Sequence, residues 1–106
     1  MKKQKLFLDP DLTLDKLSAE IGTTRHNLSQ YLNENLHQSY FDYINQLRLE
    51  EAKARLGDKT NYRFTIAAIA LDSGFSSVSN FNEVFKKKYG ITPSRFRDQS
   101  LKQMSA

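Results

Sequence analysis

The sequence predicts an all-α fold of about seven helices, arranged as two helix–turn–helix units joined by a long linker helix. Three observations predict it. Apolar residues recur at three- and four-residue intervals along most of the 106-residue chain, and no alternating run is long enough for a strand. The stretch Leu14-Asp15-Lys16-Leu17-Ser18-Ala19-Glu20-Ile21-Gly22-Thr23-Thr24 has a counterpart in Ile66-Ala67-Ala68-Ile69-Ala70-Leu71-Asp72-Ser73-Gly74-Phe75-Ser76. Each reads as a short helix, a Gly at a sharp turn and a hydroxyl cap before a second helix, a unit that can lay its second helix in a DNA major groove. Finally, Gly and Pro are rare and sit at boundaries, with Gly57 and Gly90 each following a helical pattern where a left-handed cap favours Gly.

The duplication survives a residue-by-residue check. Leu14, Leu17 and Gly22 match Ile66, Ile69 and Gly74 at an offset of 52, and Leu28, Tyr31 and Leu32 match Phe81, Val84 and Phe85 at 53, so one residue is inserted in the second turn. Apolar positions repeat in type while the exposed faces do not, as expected of one scaffold presenting two different surfaces.

In chain order, Thr13 caps a helix over 14–21 that buries Leu14, Leu17 and Ile21. A second helix runs from about Arg25 to Leu36. Leu28, Tyr31 and Leu32 form its apolar side, and the 100° step puts His26, Gln30 and Asn33 on the opposite side. Ser39 opens the linker helix, with Asp42 in the place of a capping-box carboxylate; Tyr40, Ile44 and Leu47, then Leu49, Ala52 and Leu56, supply its single buried stripe, and Glu51–Arg55 is a favourable i,i+4 pair. Residues 57–63 read as a loop. Thr65 caps 66–72, Phe75 plugs into the core, and Ser76 or Ser77 caps a helix reaching Tyr89. On that helix Phe81, Val84 and Phe85 share one face, Ser79, Glu83 and Lys86 lie opposite, and Asn80 and Asn82 flank them. Thr92-Pro93 starts a last helix anchored by Phe96 and Leu101, with a frayed tail from Lys102. The units are 6–38 and 57–106, with the linker at 39–56, all within one domain.

Composition excludes several classes. With no Cys there is neither a disulfide framework nor a thiolate metal site, and two histidines without carboxylates at ligand spacing leave no metal site to expect. The longest nearly unbroken apolar stretch, Phe64 to Leu71, is far short of the ~18 residues of a membrane span. The basic Met1–Lys5 start is followed only by Leu6-Phe7-Leu8, which is no signal peptide, so the expected location is the cytoplasm. No Gly-rich phosphate loop, nucleophile elbow or His–carboxylate pair is present, so neither catalysis nor a cofactor is expected. The net charge of +4 is uneven: residues 1–38 hold five basic and five acidic side chains, 39–64 five and four, and 65–106 six and three. Lys86-Lys87-Lys88 is the densest run, and a basic stripe beside a groove-reading surface points to nucleic acid.

The stretch Ile66 to Arg97 carries a denser pattern: Ile66-Ala67-x-Ile69-Ala70-x-x-Ser73-Gly74-Phe75-x-Ser77-x-Ser79-x-Phe81-x-x-x-Phe85-Lys86-Lys87-x-x-Gly90-x-Thr92-Pro93-Ser94-x-Phe96-Arg97. It closely resembles the signature of the AraC/XylS family of bacterial transcription regulators. Leu28-Ser29-Gln30 and Tyr43-Ile44-Asn45-Gln46-Leu47-Arg48-Leu49-Glu50-Glu51-Ala52 resemble the family's first motif and connecting helix, so the resemblance covers roughly residues 11–98. It implies two recognition helices entering successive major-groove segments on one face of the duplex, about one helical turn apart. It also implies base-facing positions at His26, Ser29 and Gln30, and at Val78, Ser79, Asn80 and Glu83. The helical step independently turns His26, Gln30, Ser79 and Glu83 outward; Val78 rests on the resemblance alone. The sequence departs from the family at His37, where Gly is usual, and at Glu34, which brings negative charge to the first recognition helix.

The chemistry of these residues fits double-stranded DNA. Gln30 and Asn80 can each make a bidentate contact with adenine N6 and N7. Glu83 can accept from cytosine N4 or pair with Lys87, and Val78 can touch a thymine methyl or pack under the turn. Arg25 and Lys86 are candidate phosphate ligands. Thr24 and Ser77 suit phosphate binding beside helix N-termini and are also ordinary caps. The expected function is sequence-specific DNA binding for transcription regulation; the alternative is a helical protein-interaction module. The resemblance suggests RNA polymerase as a partner, and a sensor or dimerisation domain is expected outside these residues, the chain being read as a fragment of a longer regulator, with a naturally small stand-alone member as the second choice.

Overall fold

A computed structural model describes residues 5–105, which form six α-helices and two short 3-10 turns with no strand among them. The order is a 3-10 turn (Leu6–Leu8), α1 (Leu14–Glu20), α2 (Arg25–Asn35), α3 (Tyr40–Gly57), a 3-10 turn (Lys59–Asn61), α4 (Ile66–Asp72), α5 (Val78–Tyr89) and α6 (Pro93–Ser105). The basic first four residues lie outside the described part, as does Ala106. The α6 backbone continues past Lys102, where the sequence suggested fraying. No helix among the described residues is long and apolar enough to cross a membrane.

Every helix starts on a hydroxyl. Thr13, Thr24, Ser39, Thr65, Ser77 and Thr92 each accept a hydrogen bond from the backbone N–H three residues on, at 3.0–3.3 Å. Each cap satisfies a donor that the first turn would otherwise leave open, for about 1 kcal/mol. Ser77, not Ser76, caps α5, so Ser76 is the inserted residue of the second turn.

The two turns are copies at the level of hydrogen bonds. Thr23 N–H donates to the Ser18 carbonyl at 2.9 Å and Phe75 N–H donates to the Ala70 carbonyl at 3.2 Å, the same link 52 residues apart. Gly22 (φ +79°) and Gly74 (φ +103°) take the left-handed conformation that reverses the chain.

Two separate cores flank α3. The first gathers Phe7, Leu17, Leu28, Leu32, Ile44 and Leu47; the second gathers Leu49, Ala52, Leu56, Ile69, Ala70, Phe75, Phe81 and Phe85. The linker helix therefore has two apolar faces, not one. At 100° per residue, Ile44 and Leu47 lie about 140° around the helix from the centre of Leu49, Ala52 and Leu56. The result is an elongated molecule of 48 × 24 × 23 Å.

Several expectations change. Ile21 and Tyr31 are not core residues: they are 47% and 56% exposed. Ile21 lies past the end of α1, which has only two turns, and Tyr31 sits on the flank of α2; both line an apolar cleft of about 530 Å³ with Leu28, Leu36 and Tyr43. Gly57 is the last residue of α3 and is not left-handed; the cap is Asp58. The 57–63 loop contains a 3-10 turn, held by Asp58 Oδ1 accepting from the Thr60 N–H (2.9 Å) and hydroxyl (2.7 Å), bonds that keep the Asp58 carboxyl below its ordinary pKa. Asn61 ties this turn to α3 by donating to the Arg55 carbonyl, and its own carbonyl accepts from Arg97 of α6.

Candidate nucleic-acid interface

The second recognition helix is held from behind by aromatic rings. Phe75, Phe81, Phe85 and Phe96 stack in sequence with centroid separations of 5.0, 5.6 and 5.8 Å, and Phe81 and Phe85 are fully buried. Such tilted contacts pack large apolar areas in few rotamers, which fixes the roll of α5 about its axis. That roll leaves Ser79, Asn80 and Glu83 exposed and Val78 half-buried at the first turn. None of the described residues forms an ion pair with Glu83, so its carboxylate faces solvent without Lys87. Lys86, Lys87 and Lys88 occupy the last turn, where cations suit the negative end of the helix dipole, and Gly90 (φ +81°) closes the helix.

The first recognition helix is set by Leu28 and Leu32, buried against Ile44 and Leu47 of α3. Its outer face exposes Arg25, His26, Gln30 and Asn33, with Ser29 half-buried. Two groups there are already engaged. Gln30 Nε2 donates to Glu34 Oε1 at 3.0 Å, and the Arg25 guanidinium stands 3.9 Å from Asp15 of α1. Both partners of the latter pair are exposed, so it is loose and screened. The Gln30–Glu34 bond leaves the amide oxygen and the second N–H for other partners. The i,i+4 spacing of Gln30 and Glu34 could have revealed it.

At both helix starts the chemistry suits an anion. The Thr24 and Ser77 oxygens accept from backbone, which leaves each O–H to donate outward beside the unpaired N–H groups of the first turn. His37, where the sequence departs from the family, keeps the left-handed backbone (φ +52°) that Gly would take more easily, and the next N–H, of Gln38, returns to the Leu32 carbonyl.

The site thus consists of two capped helices, each buried on one side and polar on the other. A model described as a helix-turn-helix domain matches residues 17–99. The regulatory protein SoxS of Escherichia coli (strain K12) is 33% identical over 90 residues, covering 85% of this chain and 81% of that protein. The chain belongs to the AraC/XylS family of helix-turn-helix transcription regulators. Its similarity reaches an uncharacterized HTH-type transcriptional regulator of Staphylococcus aureus (strain COL), 36% identical over 93 residues. The match covers 88% of this chain but 12% of that regulator, so the chain spans about an eighth of the length of such relatives. Among solved structures, an AraC-type regulator from Chromobacterium violaceum superposes with a TM-score of 0.81 at 25% identity, covering 93% of this chain and 86% of that one.

What the sequence did not reveal in this family member is a long-range link. Arg48, in the middle of α3, hydrogen-bonds to the N-terminal strap, residues 5–9, 39 and 41 residues upstream. The apolar Leu6-Phe7-Leu8 was the only local trace of that strap.

Proposed function

We propose that the chain binds duplex DNA sequence-specifically as a transcription-regulating module, with α2 and α5 reading successive major-groove segments. The observation that carries this reading is the pairing of two Thr/Ser-capped helices whose inner faces lock into separate cores while their outer faces stay polar. A 48 Å long axis accommodates two helices about 34 Å, one DNA turn, apart. His26, Ser29 and Gln30 on α2 and Val78, Ser79, Asn80 and Glu83 on α5 read bases; Thr24, Arg25, Ser77 and Lys86 hold phosphates. Residues 6–38, 39–56 and 57–106 act as first reader, spacer and second reader of a single domain. The module works in the cytoplasm without catalysis of its own, joined to a sensor or dimerisation domain in a longer regulator, with RNA polymerase as its protein partner.

Selection of duplexes from a random pool, followed by mobility-shift titration, tests this. With six to eight phosphates neutralised, log K falls with log salt at a slope of about −5 to −7. Gln30→Ala and Asn80→Ala each cost about 1–3 kcal/mol on the selected site and relax the base preference, whereas Lys86→Ala weakens all sequences alike and flattens the slope by about one. Equal weakening on random DNA would refute Gln30 and Asn80 as readers. The alternative, a module that grips a protein, draws on the apolar cleft beside α2; absence of any shift, or a flat salt response, decides for it.

A further inference from the structure

We propose that Arg48 is a positioning residue: by clamping the N-terminal strap against the second turn, it sets the separation of α2 and α5 and so the half-site spacing the domain accepts. The inference rests on the DNA-binding reading above and adds a spacing determinant that touches no base.

Three segments meet at one point. Arg48 Nε donates to the Phe7 carbonyl at 2.7 Å, and a terminal N–H of the same guanidinium donates to the Asp9 carbonyl at 2.9 Å. A Cβ on Gly74, in the second turn, would lie 2.2 Å from that same Phe7 oxygen, 2.8 Å from Arg48 Nε and 3.1 Å from Leu8 Cα. The strap backbone is thus pressed directly on the second helix–turn–helix unit. Its side chains point the other way: Phe7 is buried in the first core with Leu17, Leu28, Leu32, Ile44 and Leu47, and Leu6 and Leu8 pack at its edge. At its start, Lys5 Nζ reaches Glu51 Oε1 of α3 at 3.1 Å, and Glu51 also receives Arg55 Nε at 2.7 Å. The strap is therefore fastened to the first unit by its side chains, to the linker by Arg48 and Glu51, and to the second unit by backbone contact.

This geometry answers a mechanical need. Joined by α3 alone, the units would rock as the helix flexes, since long helices curve readily. A brace that runs off the helix axis and touches both units removes that freedom. The half-buried Arg48 guanidinium makes two charge-assisted bonds to the strap carbonyls, which fasten it more strongly than neutral donors would. Two readers on one frame bind as a bivalent ligand, and the effective concentration of the second reader at its half-site depends on how narrowly their separation is held. One added base pair moves a half-site by about 3.4 Å and about 35° around the duplex, so a rigid frame rejects it and a loose one tolerates it.

The native chain has no Cys, so Asn33→Cys on α2 and Asn82→Cys on α5, both exposed, can carry spin labels. Pulsed electron paramagnetic resonance without DNA should give one narrow distance distribution with Arg48, a broad one with Arg48→Met and an intermediate one with Arg48→Lys, which retains one donor group. Unlabelled proteins are then titrated with the pool-selected site, with that site carrying one base pair more or fewer between half-sites, and with an isolated half-site. Arg48→Met should bind the selected site about tenfold more weakly, keep half-site affinity within about twofold and lose most of the spacer preference. Half-site and full-site affinities falling in step would reduce Arg48 to a fold-supporting residue and overturn the proposal. So would a narrow distribution with intact spacer preference. If Arg48→Met does not fold, Arg48→Lys decides, because an unchanged spacer ratio in that folded variant also overturns it. Failure of the native chain to shift any duplex would defeat the DNA-binding reading, and the half-site claim with it, while the label distances report the brace separately.

Discussion

The two helix–turn–helix units share a turn and differ in how the space behind it is filled. The second is closed by a run of rings from Phe75 to Phe96, with α6 as a lid and Lys53 of α3 set 4.5 Å over Tyr89. The first is aliphatic, borrows Phe7 from the strap to complete its core, and leaves Ile21, Tyr31 and Leu36 around an open cleft. Charge follows the same division. Three lysines end α5, whereas α2 has no basic residue in its last turn and places Glu34 beside Gln30. The turn hydrogen bonds are common to both, so the two units differ in the packing behind α2 and α5 and in the charge beside them, not in the turn.

The turn glycines break this comparison most sharply. Both have positive φ, but a Cβ at Gly22 meets nothing within 4 Å while one at Gly74 collides with the strap backbone. Gly22→Ala should cost about 1 kcal/mol, the left-handed penalty alone. Gly74→Ala should cost more than about 3 kcal/mol, because overpacking against backbone is added to it. Equilibrium denaturation of both variants measures the gap; equal costs would mean the strap yields freely.

Charge on the outer face of α2 is the next lever. Glu34→Gln removes a carboxylate from the α2 face, and duplex affinity at low salt should rise about three- to tenfold, with the gain fading as salt is raised. A gain that persists at high salt would instead point to release of the Gln30 amide. The smallest effect is expected at His37. Its left-handed backbone costs more for His than for Gly, partly offset by glycine's greater chain entropy, so His37→Gly should stabilise the domain by about 0.5–1 kcal/mol in thermal or chemical unfolding. Destabilisation would show that the imidazole makes up for its backbone.

Much of the candidate interface was legible because its determinants are local. A hydroxyl three residues before a backbone donor announces each cap, and the 100° step alone turns His26, Gln30, Ser79 and Glu83 outward. Phe75, an apolar residue in a turn, pointed to its own burial. Periodicity failed where a residue sat at the border of a face: Ile21 and Tyr31 hold the register positions of buried Ser73 and partly buried Val84, yet they stand exposed beside an open cleft. A Gly after a helical pattern does not say whether the helix has ended, and Gly57 is still helical; a Cβ there would meet the Phe96 ring of α6 at 3.9 Å, an ordinary contact.

By itself the sequence determined five helix starts and the sixth to within one residue, two duplicated turns and the polar faces of α2 and α5, since caps, positive-φ glycines and three-four spacing act over a handful of residues. Only the tertiary structure decided how the units are held to one another. That decision lies in α3 carrying two apolar faces and in a guanidinium reaching a carbonyl 41 residues away. No local propensity encodes such a meeting, because its free energy arises only once both cores have closed and brought the strap, the linker and the second turn into contact.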